Sequence, residues 1–135
     1  MLQYIPTDFN YATTIGWWFM IIFYLLNLKK YFNNIFIFIG IVGNLIASEW
    51  LKNIPKIIEG KNIVQHTIPL IISLSNFDIN DDINIIILYY LLYLVYLKVI
   101  NVNPIDLYPD FNMISAILLF YIIFLNILKY VLKYK

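Results

Sequence analysis

The sequence lacks cysteine and arginine and carries few charged residues of either sign. Without cysteine, the chain forms no disulfide, no thiolate metal site and no cysteine nucleophile. Nine lysines against eight acidic residues leave a net charge of +1, which is too balanced for a protein that binds nucleic-acid phosphates. Charged residues make up 13% of the chain, compared with about 25% in soluble domains, so an ordinary soluble enzyme is also excluded.

Apolar residues dominate what is present. Hydrophobic residues account for 62% of the 135 positions and aromatic residues for 19%, and the mean hydropathy is +0.79. Isoleucine, asparagine, tyrosine, phenylalanine and lysine together make up 73 residues. All five have A/T-rich codons, which fits many large DNA viruses, organelle genomes, protists and mollicute bacteria equally well. The composition therefore predicts a small integral membrane protein.

Five stretches are candidates for membrane-spanning helices, because a hydrocarbon core about 30 Å thick needs roughly 20 helical residues. They predict an all-α polytopic transmembrane helix bundle that forms a single integral membrane domain over residues 1–135. The predicted spans cover residues 9–28, 31–48, 62–77, 83–100 and 112–132. The third is short and polar, so that it either spans or re-enters the membrane. Pro69 is expected in its first turn, where a missing N–H costs little.

The placement of lysines orients the five spans, since cytoplasmic segments carry an excess of basic residues. The first loop contains Lys29 and Lys30, and the C-terminal tail on the same side contains Lys129, Lys133 and Lys135. This distribution favours a multi-pass protein with a cytoplasmic C-terminus. In the same topology, the odd-numbered helices all start on the opposite face of the membrane.

Three polar side chains are candidates for catalysis. His66 is the only histidine, and a neutral imidazole is a suitable general base near pH 7; the alternative is an interfacial histidine bonded to a loop. Thr13 and Thr14 open the first helix, where a hydroxyl either caps the helix or, with a base within reach, acts as a nucleophile. Because the first and third helices start on one face, the histidine and the threonines can lie at one membrane level.

Tyrosines form a ladder on the fourth predicted helix. The spacing of Tyr89, Tyr93 and Tyr96 puts them on one face. There they either pack between helices and bond polar groups across the bundle, or bind substrate by lining a pocket for a lipid head group. Gly40 and Gly43, three positions apart, are expected to let the second helix approach a neighbour closely.

The order of several short motifs resembles the androgen-induced membrane threonine hydrolase family, which cleaves fatty-acid esters of hydroxy fatty acids, and its bacterial polytopic relatives. The motifs are Ala12-Thr13-Thr14, His66-Thr67-Ile68-Pro69, the tyrosine-rich helix at residues 87–97 and Tyr108-Pro109. The resemblance covers roughly residues 9–112 and implies a polytopic fold with an intramembrane threonine and histidine. It implies that Thr13 or Thr14 attacks the ester carbonyl, that His66 takes the proton and that Tyr108 lines the substrate site.

The sequence leaves two classes of function open. Small size, minimal loops and the lack of a highly specific catalytic motif favour a non-catalytic component of a viral or organelle membrane. The alternative is an intramembrane Thr/His hydrolase of fatty-acid esters. A transporter is disfavoured, because no charged residue lies mid-span to couple an ion. The expected partners are membrane lipids and other membrane proteins, with no nucleic acid. No cofactor or metal is expected, since the acidic loop at residues 78–82 lacks the ligand spacing of a calcium loop.

Overall fold

Five long helices follow one another in a computed structural model of the chain, which describes residues 2–133. Helix α1 is Ala12–Leu25 and α2 is Asn33–Ala47. Helix α3 runs without a break over residues 60–75 and consists of Gly60–Asn62, a π-helical stretch Ile63–Thr67, and Ile68–Ser75. Helix α4 is Ile85–Val99 and α5 is Phe111–Lys133. The described residues contain helices and turns but no strand, so the predicted all-α class is confirmed.

Most of the helices are shorter than the predicted spans. Phe111–Lys133, with 23 residues, is the one helix among residues 2–133 that is long and apolar enough to cross a membrane. The apolar helices α1, α2 and α4 have 14 or 15 residues, about 21–23 Å of helix at 1.5 Å per residue. Helix α1 ends early because Asn27 has a φ of 60°, a conformation that terminates helices. Length and composition thus identify one candidate span where the sequence predicted five.

Helix α2 forms the centre of the bundle. Ten of its 15 residues are buried, and it packs against α1, α3, α4 and α5. A helix that is apolar on all sides is expected to be buried on all sides. The main cluster of buried side chains accordingly joins Phe36 and Ile39 of α2 with Ile86 of α4 and Leu118 of α5.

Pro69 occupies the first turn of the α-helical stretch Ile68–Ser75, as predicted, but this stretch continues an earlier turn of α3, so Pro69 lies within a longer helix. It follows the π-helical stretch Ile63–Thr67 almost directly. Proline cannot donate the helical hydrogen bond, and its ring crowds the carbonyl four residues earlier. A local π turn is one of the adjustments that accommodate this in a continuous helix. His66 belongs to this wider turn, so the irregularity at Pro69 also helps to set where the imidazole lies.

The connecting segments meet at opposite ends of the bundle. At one end, Lys29 Nζ, between α1 and α2, donates to Asn76 Oδ1, just after α3, at 2.8 Å. At the other end, Trp50 Nε1, after α2, donates to Asp110 Oδ2, just before α5, at 2.8 Å. The helices therefore alternate in direction, and α1, α3 and α5 begin at the same end. Lys135, one of the lysines of the predicted tail, lies outside the described residues.

Candidate active site

The candidate active site lies where the first turn of α1 approaches the π-helical stretch of α3. Thr13 is the second residue of α1, and His66 belongs to Ile63–Thr67. The Thr13 hydroxyl Oγ1 lies 3.2 Å from His66 Nε2, although the two residues are 53 positions apart in the sequence. A hydroxyl within hydrogen-bond reach of an imidazole nitrogen is the pairing that a nucleophile and its general base require.

Thr14 lies in the same region, but its hydroxyl is not the one that meets the imidazole. Among the described residues, the hydroxyl bonded to His66 Nε2 is that of Thr13. Thr14 is 3% exposed, and its side chain lines the same cavity. Of the two threonines that the sequence could not separate, Thr13 is therefore the one placed to lose its proton to His66.

Asn62 holds the opposite edge of the imidazole. Its Oδ1 lies 2.9 Å from His66 Nδ1, and the residue is buried. Its Nδ2 donates to Asn44 Oδ1 and to the carbonyl of Ile57, each at 2.8 Å. The ring of His66 is thus held at both nitrogens by side chains from the protein.

Sequence reasoning did not select Asn62 as a site residue, although a signal for it is present. Residues four apart lie on one face of a helix, so Asn62 and His66 are neighbours within α3. Asn44 joins them from α2, and this contact between helices has no counterpart in sequence spacing. The amide pair therefore extends the predicted Thr13–His66 contact into α2.

Two glycines of α2 make room for this part of α3. A Cβ on Gly43 would lie 2.6 Å from His66 Nε2, and a Cβ on Gly40 would lie 2.7 Å from Leu70 Cβ. Real Cβ atoms essentially never come so close to another heavy atom. The predicted close approach of the second helix to a neighbour is therefore confirmed, and the neighbour is α3.

The tyrosines predicted to bind substrate use their hydroxyls to hold the start of α1. Tyr89 donates to the carbonyl of Ala12 at 2.7 Å, and Tyr93 donates to the carbonyl of Asn10. Tyr108 Oη accepts the N–H of Ala12 at 3.0 Å. All three side chains also line the cavity. The hydroxyls of the two ladder tyrosines thus fix the backbone that leads into Thr13, while the side chains face the cavity.

Tyr108 is a neutral hydroxyl at physiological pH. Burial raises the pKa of Tyr108 above its ordinary value of 10.0, although its hydrogen bonds with the Tyr93 hydroxyl and the Ala12 N–H act in the opposite direction. A hydroxyl has one proton and two lone pairs. Tyr108 therefore accepts the backbone N–H of Ala12, and its own proton is directed at the Tyr93 oxygen, because the Tyr93 proton goes to the Asn10 carbonyl.

A cavity of about 750 Å³ opens beside these side chains. Its lining includes the six residues predicted for the site, namely Thr13, Thr14, His66, Tyr89, Tyr93 and Tyr108. Buried apolar side chains form one part of the wall, among them Ile39, Ile86 and Leu118, and the exposed residues Asp8 and Lys61 line another part. Ligand sites commonly have volumes of about 300–1,000 Å³, so the cavity fits an amphiphilic ligand with its apolar portion inward.

Residues 2–133 contain no group of three His, Cys, Asp or Glu side chains that could hold a metal ion. Comparisons with protein-family models, with curated proteins and with solved structures gave no match. The chemistry of the site therefore has to follow from the geometry of its own residues.

Proposed function

We propose that this protein is a multi-pass integral membrane hydrolase that cleaves lipid esters, with Thr13 as nucleophile and His66 as general base. The observation that carries the proposal is the 3.2 Å approach of Thr13 Oγ1 to His66 Nε2 at the wall of a large cavity. A hydroxyl with a base in reach is suited to acyl transfer, and a mostly apolar cavity is suited to a fatty acyl chain. The resemblance to the androgen-induced membrane threonine hydrolases points to the same two residue types and to fatty-acid esters.

In the proposed reaction, His66 Nε2 removes the hydroxyl proton of Thr13 while Oγ1 bonds to the carbonyl carbon of the ester. The tetrahedral intermediate collapses as the ester C–O bond breaks, and the alcohol leaves with the proton from His66. Water then attacks the acyl-threonine and gives a proton to His66, which returns it to the departing Thr13 oxygen. The net reaction converts ester and water into carboxylic acid and alcohol, as in other base-assisted acyl transfers.

Tyr108 is the residue that we assign to the negative charge developing on the carbonyl oxygen. Its hydroxyl lies 3.0 Å from the backbone nitrogen of Ala12, the residue before Thr13. It is therefore close to the nucleophile, and its proton, which the Tyr93 oxygen accepts in the resting protein, turns to the ester carbonyl oxygen when substrate binds. A fixed donor aimed at a developing oxyanion typically contributes about 10²- to 10³-fold in rate.

The outer surfaces of α4 and α5 support a location in the bilayer. Leu92 is 59% exposed and Phe120 is 71% exposed, whereas the buried residues of α5, Leu118, Ile122 and Leu125, occupy a single face. Extended apolar surface of this kind marks contact with lipid or with another protein. We propose that the shorter helices cross as well, because a bilayer thins locally around short hydrophobic stretches at modest cost.

Hydrolysis of a long-chain p-nitrophenyl ester by the protein purified in detergent tests the proposed reaction. The wild type is expected to turn over the ester, and Thr13→Ala and His66→Ala are each expected to lower kcat by about 100-fold or more. Thr14→Ala should have a much smaller effect, because its hydroxyl does not meet the imidazole. Equal turnover in the wild type, Thr13→Ala and His66→Ala would contradict the proposal.

A non-catalytic component of a membrane complex is the second candidate. The exposed apolar faces of α4 and α5 favour it as well, since another membrane protein could cover them. Crosslinking in native membranes separates the two candidates. A recurrent crosslinked partner, together with equal turnover in all variants, would favour the non-catalytic component. Recovery of monomer alone, together with loss of turnover in Thr13→Ala, would favour the hydrolase.

A further inference from the structure

We infer that Asn62 is a positioning residue that fixes His66 in the tautomer with the proton on Nδ1, and that Asn44 orients Asn62. The inference rests on the proposed function and extends it, because it specifies which nitrogen of His66 is basic and what determines this. Asn62 contacts the far edge of the imidazole, with Oδ1 2.9 Å from Nδ1. It therefore acts through His66 rather than on the reacting atoms.

The direction of this hydrogen bond follows from the amide of Asn62. An amide nitrogen donates two protons, and an amide oxygen only accepts. Asn62 Nδ2 faces two oxygens, Asn44 Oδ1 and the carbonyl of Ile57, each at 2.8 Å. If the nitrogen and the oxygen of the Asn62 amide were exchanged, its oxygen would face Asn44 Oδ1 and the Ile57 carbonyl oxygen, with no proton to share in either contact. Oδ1 must therefore face His66, and Nδ1 must carry the proton of that bond.

Asn44 is oriented by its own contact within α2. Its Nδ2 donates to the carbonyl of Gly40 at 2.8 Å, which leaves Oδ1 to accept from Asn62. Every donor in the series then points the same way, from Thr13 through His66, Asn62 and Asn44 to the α2 backbone. The orientation of each member is thus determined by the next.

This orientation has a direct consequence for catalysis. A neutral imidazole has one protonated nitrogen and one nitrogen with a free lone pair. With Nδ1 protonated, the lone pair of Nε2 faces the Thr13 hydroxyl, as a general base requires. The other tautomer would direct an N–H at that hydroxyl and could not accept its proton. Because asparagine is neutral, it selects the tautomer without burying a carboxylate, which is costly in apolar surroundings.

The single histidine makes the tautomer directly measurable. Protein labelled with ¹⁵N-histidine in lipid nanodiscs gives the signals of one imidazole only, and the wild type is expected to show protonated Nδ1 and unprotonated Nε2. Asn62→Ala should shift the population towards the Nε2-protonated form and lower kcat by about 100-fold, with little change in KM. Asn44→Ala should give an intermediate result. Asn126→Ala is the matched control, because that amide donates to the Ile122 carbonyl within α5, and it should change neither readout.

The outcomes separate this inference from the proposed function. Protonation at Nε2 in the wild type would overturn the inference, and this measurement does not depend on whether any variant folds. An unchanged tautomer in Asn62→Ala would overturn it as well, whether or not kcat falls, and so would a shifted tautomer with normal kcat. Absence of turnover in the wild type would instead contradict the hydrolase, while a tautomer shift in Asn62→Ala would still support the role of Asn62 in orienting the ring.

Discussion

Gly43 of α2 faces the imidazole of His66 so closely that no side chain fits between them. A Cβ at this position would lie 2.6 Å from Nε2, the atom that meets Thr13. We expect Gly43→Ala to push the ring away from the hydroxyl and to lower kcat by about 100-fold, the scale of losing a general base. Overpacking should also lower the free energy of unfolding by about 1–3 kcal/mol. Ester hydrolysis and thermal unfolding in detergent measure the two effects.

Ile41→Ala in the same helix is the matched control, because Ile41 is 40% exposed and is not among the residues that line the cavity. It should leave kcat close to that of the wild type. Wild-type turnover in Gly43→Ala would show that the imidazole can move without consequence and that the proposed base is misassigned.

The sequence allowed His66 and the pair Thr13 and Thr14 to be singled out, because polar groups inside apolar stretches are costly and therefore few. The alternation of helix direction then placed the starts of α1 and α3 at one end of the bundle. The contributions of Asn44 and Gly43 could not be predicted in this way. They depend on how closely α2 approaches α3, and that distance is set by packing between residues far apart in the chain.

The helix ends were also beyond the reach of hydropathy. The apolar stretch at residues 9–28 continues past the point where α1 ends, because Leu26 and Leu28 are as apolar as the helix itself. Asn27 ends the helix through its backbone conformation, with a φ of 60°. The π turn before Pro69 likewise could not be predicted from average hydrophobicity, because it is a local response of the backbone to proline.

The identity of the nucleophile can be tested without changing the volume of the side chain. Thr13→Val keeps the shape of threonine but removes the hydroxyl that meets His66, so kcat should fall by about 100-fold or more. Thr13→Ser keeps the hydroxyl and should retain most of the activity. A fluorophosphonate probe followed by peptide mass spectrometry should modify the peptide that contains Thr13 in the wild type and leave Thr13→Val unmodified. Labelling that persists in Thr13→Val would assign the nucleophile elsewhere.

Tyr89 and Tyr108 bond the same residue but should contribute differently. Tyr89→Phe removes a hydrogen bond to the Ala12 carbonyl and should cost about 0.5–1.5 kcal/mol of stability, with a modest fall in kcat. Tyr108→Phe also removes the proposed oxyanion donor, so kcat should fall by about 10²- to 10³-fold, with little change in KM. Tyr96→Phe on the outer part of α4 is the control. Equal kcat values in the Tyr89 and Tyr108 variants would argue against an oxyanion role.

Asn33 should matter for stability and not for the reaction. It is 1% exposed, accepts the Tyr24 hydroxyl at 2.5 Å and donates to the Asn76 carbonyl at 2.9 Å, at the end of the bundle away from Thr13. Asn33→Leu would leave these groups without a partner, at a cost of about 1–3 kcal/mol for a buried polar group. The unfolding temperature in detergent should therefore fall, while kcat below that temperature stays close to wild type. A selective loss of kcat would contradict this separation of the two ends.

The lack of cysteine makes the proposed five-span topology directly testable by single substitutions. Lys30→Cys and Asn80→Cys place a thiol in exposed connections at one end of the bundle, and Lys52→Cys and Asp106→Cys do so at the other. In sealed vesicles, a membrane-impermeant maleimide should label one pair from outside and the other pair only after permeabilisation. The excess of lysine predicts that the Lys30 pair is cytoplasmic. The unsubstituted protein gives the background. Labelling of all four positions from one side would mean that the helices lie along the membrane instead of crossing it.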